Sequence, residues 1–500
     1  MLRRLRSPIA LGAAVLLVGS AISSGAAASR PMHRPNIVFI LTDDLTTNLM
    51  TPRFMPSLWA LSERGATFSS YFVSDSLCCP SRASIFTGRF PHDTGVYTNV
   101  GPAGGYATFN ARGDQNSTLA TDLQARGYRT ALMGKYLNRY RTDDPAAPGW
   151  DVWDVANWGY PEFNYTLNQN GRRVRYGGPH ARGKDNYLTD VLSRLGDSFV
   201  SHTAAEHHRQ PFFLELATFA PHSPYTPAPR YASLYPGLRY PKTPAFDAAN
   251  RHPPGWLRGQ PPLSASGRRE IRVDFRKRAQ AAKSIDLMIG SLVRTLRRAR
   301  ELNNTYLVFS SDNGLHMGEH RLRPGKLTAF DTDIHVPLVV VGPGIRAGTH
   351  IGAFAENIDL RSTFDALAGT HPSEPVDGRS LTPLLFGSKG RARPPPGWPR
   401  GVLVEHRGPD LSDAGPDRPE PFSGNPPSYV ALRLASALYV QYAAGGHEYY
   451  NLARDPYELD NVYSSLSVRV RRGLRREVAR LEGCHDRPAC SEVRAPAGLP

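Results

Sequence analysis

The chain has 500 residues, 40% hydrophobic and 21% charged, with a formal net charge of +16. That length exceeds one compact core and predicts a large domain followed by a smaller one. A mean hydropathy of −0.40 and only four cysteines exclude a multi-span membrane protein, a disulfide scaffold and a zinc array.

The leader comes first. Arg3, Arg4 and Arg6 precede an apolar run from Ile9 to Ile22 that ends in Ala26-Ala27-Ala28. This is the order of a secretory signal peptide over residues 1–28, cleaved after Ala28, and it predicts a secreted or extracytoplasmic protein. The run is too short for a comfortable membrane span, so an integral membrane protein is not expected. Losing the leader takes three arginines off the charge. The rest of the surplus is also arginine-rich, with seven lysines in the chain. No basic run is interleaved with aromatics, and export argues against a nucleic-acid partner. The surplus reads as arginine-biased composition or as a surface for a polyanionic glycan.

Asn36-Ile-Val-Phe-Ile-Leu41 is an unbroken apolar run and predicts a fully buried strand of a parallel sheet. Met55 to Arg64 predicts a helix, with Pro56 early and Gly65 as its C-cap. Further helices are predicted over Thr118 to Arg126, Tyr187 to Val200 and Arg269 to Leu302. Strands are predicted over 129–133, 212–217, 305–310 and 335–341. Strands alternating with helices give an α/β fold: a large, mostly parallel sheet sandwiched by helices, over residues 33–388. Lys389 to Pro399 reads as a linker. Strands at 429–434, 438–442 and 447–452, a Gly445-Gly446 turn and a helix from Ser464 to Leu481 predict a small C-terminal α+β domain over 400–500, with an antiparallel sheet. Cys484 and Cys490 are expected to close a disulfide loop there.

Four predicted strands end in chemistry. Asp43 and Asp44 follow the first, and Gly134-Lys135 the second. Ala220-Pro221-His222 lies beyond the third, and Asp312-Asn313 follows the fourth. Ligands of open α/β sheets bind outside the carboxyl ends of strands, so these residues are expected to converge. Asp43, Asp44, Asp312 and Asn313 supply only oxygen donors, which suits Ca²⁺ or Mg²⁺ and disfavours zinc. In Cys78-Cys79-Pro80-Ser81-Arg82, followed by Thr87-Gly88-Arg89, Cys78 sits at or near a helix N-terminus. A thiol there reads as acidic and reactive, or as half of a buried cysteine pair.

Cys78-x-Pro80-Ser81-Arg82 with Thr87-Gly88-Arg89 resembles the signature of the formylglycine-dependent sulfatase family, within the alkaline phosphatase-like superfamily. Cys79 does not fit, because no residue separates it from Pro80. Gly134-Lys-Tyr-Leu-Asn138, Ala220-Pro-His-Ser-Pro-Tyr225, Asn164 to Gly171, and Glu301 to Tyr306 before Ser-Asp-Asn-Gly are similar to the N-acetylglucosamine-6-sulfatase-like members. The resemblance implies a sulfuric ester hydrolase acting on a sulfated sugar such as N-acetylglucosamine 6-sulfate. It implies Cys78 oxidised to formylglycine by a formylglycine-generating enzyme, with the hydrated aldehyde as nucleophile. It implies Ca²⁺, or Mg²⁺, on Asp43, Asp44, residue 78, Asp312 and Asn313, with Asp312 also as a base. Arg82 would hold the formylglycine hydroxyl, Lys135 and Lys326 would bind sulfate, and His222 would protonate the leaving oxygen. Asn138 and His320 are further candidates for substrate contact. Many family members carry a histidine where this chain has Leu137 or Asn138, and Asn138 is no general base. A phosphate mono- or diesterase on the same scaffold and an inactive, basic glycan-binding protein stand as alternatives.

Overall fold

The computed structural model describes residues 34–158, 162–178, 183, 185–206, 210–387, 394–410, 417–490 and 492–499. The leader predicted over 1–28 lies outside them. The first strands are β1 Asn36–Thr42, β2 Ala66–Phe68, β3 Tyr71–Phe72, β4 Arg129–Gly134, β5 Val152–Ala156, β6 Tyr165–Gln169, β7 Arg172–Tyr176 and β8 Phe212–Ala217. They continue with β9 Thr305–Ser311, β10 Leu338–Val341, β11 Thr349–Ile351, β12 Ala355–Glu356, β13 Gly401–His406, β14 Tyr429–Leu434, β15 Ala437–Tyr442 and β16 His447–Asn451. Ten form one sheet in the order β11-β2-β10-β9-β1-β8-β4-β5-β6-β7. The central five, from β9 to β5, pair in parallel.

Every residue of β1 is buried, because helices cover both faces of the sheet. Ile37, Phe39 and Leu41 face a cluster with Ala83, Leu119, Leu123 and Phe364. Val38 and Ile40 face the opposite cluster with Leu58, Leu192, Phe275 and Ile285. The helix Ala265–Arg298 buries Ile271, Phe275, Ala282, Ile285, Ile289 and Leu292, a three-to-four spacing that puts one stripe on the sheet. Its start lies before the predicted residue 269, where Ser264 Oγ accepts the Gly267 N–H at 3.0 Å and caps the first turn.

Two expectations shift. Strand β10 begins at Leu338 rather than His335, since Pro337 has no N–H for a ladder. The helix predicted from Met55 runs Pro56–Ser62 and ends on Glu63 in right-handed geometry. Gly65 is therefore not a left-handed cap. A Cβ on it would lie 2.3 Å from the Val340 carbonyl oxygen, so glycine is required there by close packing against β10.

The C-terminal sheet is antiparallel, in the order β13-β14-β15-β16. The helix Val468–Leu481 packs on it through Val470, Leu474, Val478 and Leu481. Cys484 and Cys490 form a disulfide. Among the described residues no helix is long and apolar enough to cross a membrane.

Candidate active site

The parallel registers explain how distant residues meet. Thr42 of β1 is level with Ser311 of β9, and Ala217 of β8 is level with both Leu41 and Gly134. Four adjacent strands thus release their chains at one edge of the sheet. Gly134 holds φ +110°, and a Cβ there would lie 1.9 Å from the Ala217 carbonyl oxygen. Only glycine permits that turn, and the next residue, Lys135, enters the site. Asp44 holds φ +61°, a left-handed conformation that aspartate tolerates better than most residues.

Cys78 opens the helix Cys78–Thr87 and is fully buried. Its Sγ lies 3.4 Å from Asp43 Oδ1 and 2.8 Å from Lys326 Nζ. One turn on, Arg82 Nε donates to Asp312 Oδ2 at 2.7 Å, and its Nη1 donates to the Lys135 carbonyl at 3.1 Å. Lys135 Nζ donates to Asp43 Oδ2 at 2.6 Å. Lys326 Nζ donates to Asp44 Oδ1 at 2.8 Å. His222 Nδ1 is 2.7 Å from the Ser223 carbonyl, which turns Nε2 toward Asp44 Oδ2 at 3.4 Å.

The electrostatics follow from burial. Desolvation alone would raise the pKa of Asp43, but Lys135, His222, Arg82 and Lys326 outweigh it and hold the carboxyl below its usual range. Burial, with Asp43 added, pushes Asp312 up to about 6, while Arg82 and Lys135 pull it down. For His222, burial opposes the charged form, and Asp44, Asp43 and Asp417 override it, so its pKa is raised. Burial and then Asp43 push the Cys78 thiol well up. This corrects the expectation of an acidic thiol: the helix N-terminus favours an anion, but a desolvated sulfur beside a carboxylate does not ionise.

The donor set fits a hard divalent cation. Asp43, Asp44, Cys78 and His222 each bring one ligand atom to within 4.8 Å of the others. Asn313 donates through Nδ2 to Asp44 Oδ1 at 2.6 Å, while its buried Oδ1 has no hydrogen-bond partner among the described residues. An orphaned amide oxygen beside three carboxylates suits an oxygen-seeking ion. Asp312 is engaged differently: besides Arg82, its Oδ1 accepts the Asn313 N–H at 2.9 Å and the Asp44 N–H at 3.2 Å.

Not every candidate joins this cluster. His320 is buried, stacks on Phe330 at 3.8 Å and sits 2.9 Å from Asn250 Oδ1 through Nδ1. Burial and His316 lower its pKa to about 3. Leu137 lies in the core. Asn138 does reach the site. Its Nδ2 donates at 2.7 Å to Asp417 Oδ2, a residue the sequence reading missed. Asp417 Oδ1 lies 3.2 Å from His222 Nε2 and 3.9 Å from Lys326 Nζ. Although burial alone would raise its pKa, His222, Lys326 and Lys135 hold that carboxyl well down. Asp417 follows a Gly-Pro pair in a loop between β13 and β14, and nothing in its sequence surroundings points to a sheet edge. Beside the cluster a cavity of about 1010 Å³ opens, walled by Asp44, His222, Trp256, Asp274, Lys326 and Asp417 among others.

Comparison with known proteins gives the family. Residues 35–370 match the family model described as Sulfatase. The N-acetylglucosamine-6-sulfatase of Homo sapiens is 33% identical over 92% of this chain and 86% of its own length. An arylsulfatase of Volvox carteri is 31% identical over 94% of this chain and 77% of its own. A solved structure, described as in complex with its substrate D-glucosamine-2-N,6-O-disulfate, superposes with a TM-score of 0.73. It is 20% identical and covers 89% of this chain and 97% of that one, so it speaks for the fold. With a family match over most of the large domain and a relative of this identity and coverage, the chain belongs to the sulfatase family, the sulfuric ester hydrolases.

Proposed function

We propose that this protein is an exported sulfatase that removes sulfate from a sulfated sugar, with 6-O-sulfated N-acetylglucosamine as the substrate class. One observation carries the reading: Cys78 is buried in the first turn of its helix, between the acids of β1 and the ammonium of Lys326. The sugar comes from the names of the relatives and the leader from residues 1–28.

Formylglycine at residue 78, made by a formylglycine-generating enzyme, supplies a hydrated aldehyde as nucleophile, and Ca²⁺, with Mg²⁺ as the alternative, supplies Lewis-acid polarisation from Asp43, Asp44, residue 78, Asp312 and Asn313. The chain's own residues do the rest. Lys135 and Lys326 bind sulfate oxygens and offset the charge that builds as the ester bond breaks. Arg82 orients residue 78 through a guanidinium fixed on Asp312. Its Nη2 is buried without a partner among the described residues. His222, whose pKa is raised by Asp44, Asp43 and Asp417 against burial, passes a proton from Nε2 to the leaving oxygen. Asp312, near pKa 6, accepts a proton from the nucleophile. Asn138 donates to sulfate through Nδ2.

The test is hydrolysis by enzyme made in a host that converts the cysteine. Release of sulfate from N-acetylglucosamine 6-sulfate is expected, faster than from sugars sulfated elsewhere. Turnover of aryl phosphate in preference to aryl sulfate would replace the reading with a phosphoesterase.

A further inference from the structure

A second cavity of about 630 Å³ lies at the β7 edge of the large sheet, lined by Arg139, Arg141, Arg173, Arg175 and Trp158 together with Thr142, Asn157 and Asn164. Its volume is that of a small-ligand site. Arg173 and Arg175 are two apart on edge strand β7, so both point to the same face. Arg139 stacks its guanidinium on Trp158 at 4.1 Å. Arg175 donates to Asn164 Oδ1 at 2.8 Å. Against the four arginines stands one carboxylate among the described lining residues, Asp143, which Arg141 holds through two bonds of 3.0 and 3.1 Å. The cavity keeps a surplus of positive charge, and its amide and hydroxyl side chains can bond sugar hydroxyls.

Its place in the chain gives it a meaning. Arg139 directly follows Asn138, whose side chain lies in the catalytic cluster, and Arg139 is held at φ +68°. Adjacent Cα atoms are about 3.8 Å apart, so the backbone lining the basic cavity continues directly from the residue whose side chain reaches Asp417. We propose that this cavity binds an anionic sugar unit, sulfated or carboxylated, of the same glycan whose sulfate is cleaved next door. The protein would then prefer a charged oligosaccharide to a sulfated monosaccharide. This rests on the sugar-sulfatase reading above and adds a second contact to it.

The experiment measures binding of a sulfated tetrasaccharide, N-acetylglucosamine 6-sulfate and inorganic polyphosphate, using tryptophan fluorescence and calorimetry, to the full-length enzyme and to R173A/R175A. The tetrasaccharide is expected to bind the unaltered enzyme at least tenfold more tightly than the monosaccharide, with affinity falling as salt rises. The double variant is expected to lose about tenfold toward the tetrasaccharide and to keep its thermal unfolding temperature, since both arginines are exposed. Equal affinity for the two sugars, or a double variant that binds the tetrasaccharide unchanged, would overturn the inference. So would polyphosphate binding as tightly through the same arginines, which would mark an unselective counter-ion patch. Turnover of an aryl sulfate by the unaltered enzyme separates the two levels: without it the sulfatase reading fails, and with it a negative binding result removes the second contact alone.

Discussion

The two basic regions of this molecule differ in how their cations are matched. In the catalytic cluster Arg82, Lys135 and Lys326 are 0%, 2% and 8% exposed in their side chains, and each has a carboxylate within 2.8 Å. In the cavity beside β7, Arg141, Arg173 and Arg175 are exposed and one aspartate serves the group. Burial is the cause. A desolvated charge must be paired, whereas water screens an exposed one. Substituting one of the cluster's paired cations should therefore disturb fold and chemistry together. One in the cavity should disturb binding alone.

The largest expected effect is Cys78→Ala. It removes the thiol group whose oxidation would give the aldehyde, so sulfate release should drop by ~10³-fold or more, with the unfolding curve little changed. Next comes Arg82→Ala, which leaves Asp312 buried and unmatched. Chemical denaturation should show a loss of about 3–5 kcal/mol, along with activity. A stability loss well under 1 kcal/mol would show that the cluster is not organised by pairing.

His92 is an intermediate case. It is partly buried beside the C-terminal sheet, 2.9 Å from Glu405 of β13 and 2.7 Å from the Cys484 carbonyl. Burial disfavours its charge, but the Glu405 hydrogen bond and charge override it and raise the pKa to about 9. A raised folded-state pKa means the contribution is complete below the unfolded value of about 6.5 and is lost as pH rises through 9. The shift corresponds to about 3 kcal/mol before solvent screening, so unfolding followed from pH 6 to 10 should reveal a decline of about 2 kcal/mol for this partly exposed group, absent in His92→Gln.

Asp417→Asn should act more gently. It removes a negative charge facing the sulfate-binding groups, so KM for sulfate esters should fall several-fold. His222 loses a partner that raises its pKa, so the alkaline limb of kcat should move to lower pH. An unchanged KM would remove Asp417 from the substrate's surroundings. Arg141→Ala is the smallest case: it breaks only an exposed ion pair with Asp143, so thermal unfolding should show an unchanged midpoint.

The convergence of the candidate cluster was legible because its logic is local and topological together. Each of β1, β4, β8 and β9 is an apolar run with polar residues just beyond it, and parallel pairing brings such ends to one edge. Strands β5 to β7 were missed. They are short, and β7 is arginine-rich and largely exposed, so no apolar run announces them. Asp417 escaped for a related reason, since only the packing of the small sheet delivers its loop to the site. His320 misled because a motif position is not a contact, and its ring packs against Phe330. The acidic Cys78 failed because a helix terminus was weighed without the burial and the Asp43 charge that oppose ionisation.

Residue 78 is proposed to work as formylglycine, in a site whose burial and Asp43 charge oppose ionisation of an unmodified thiol. Mass spectrometry of the peptide containing residue 78, from protein made in its native host, decides between the two forms. An aldehyde in place of the thiol, in proportion to sulfatase activity, is the expected result. A thiol throughout fully active enzyme would rule formylglycine out.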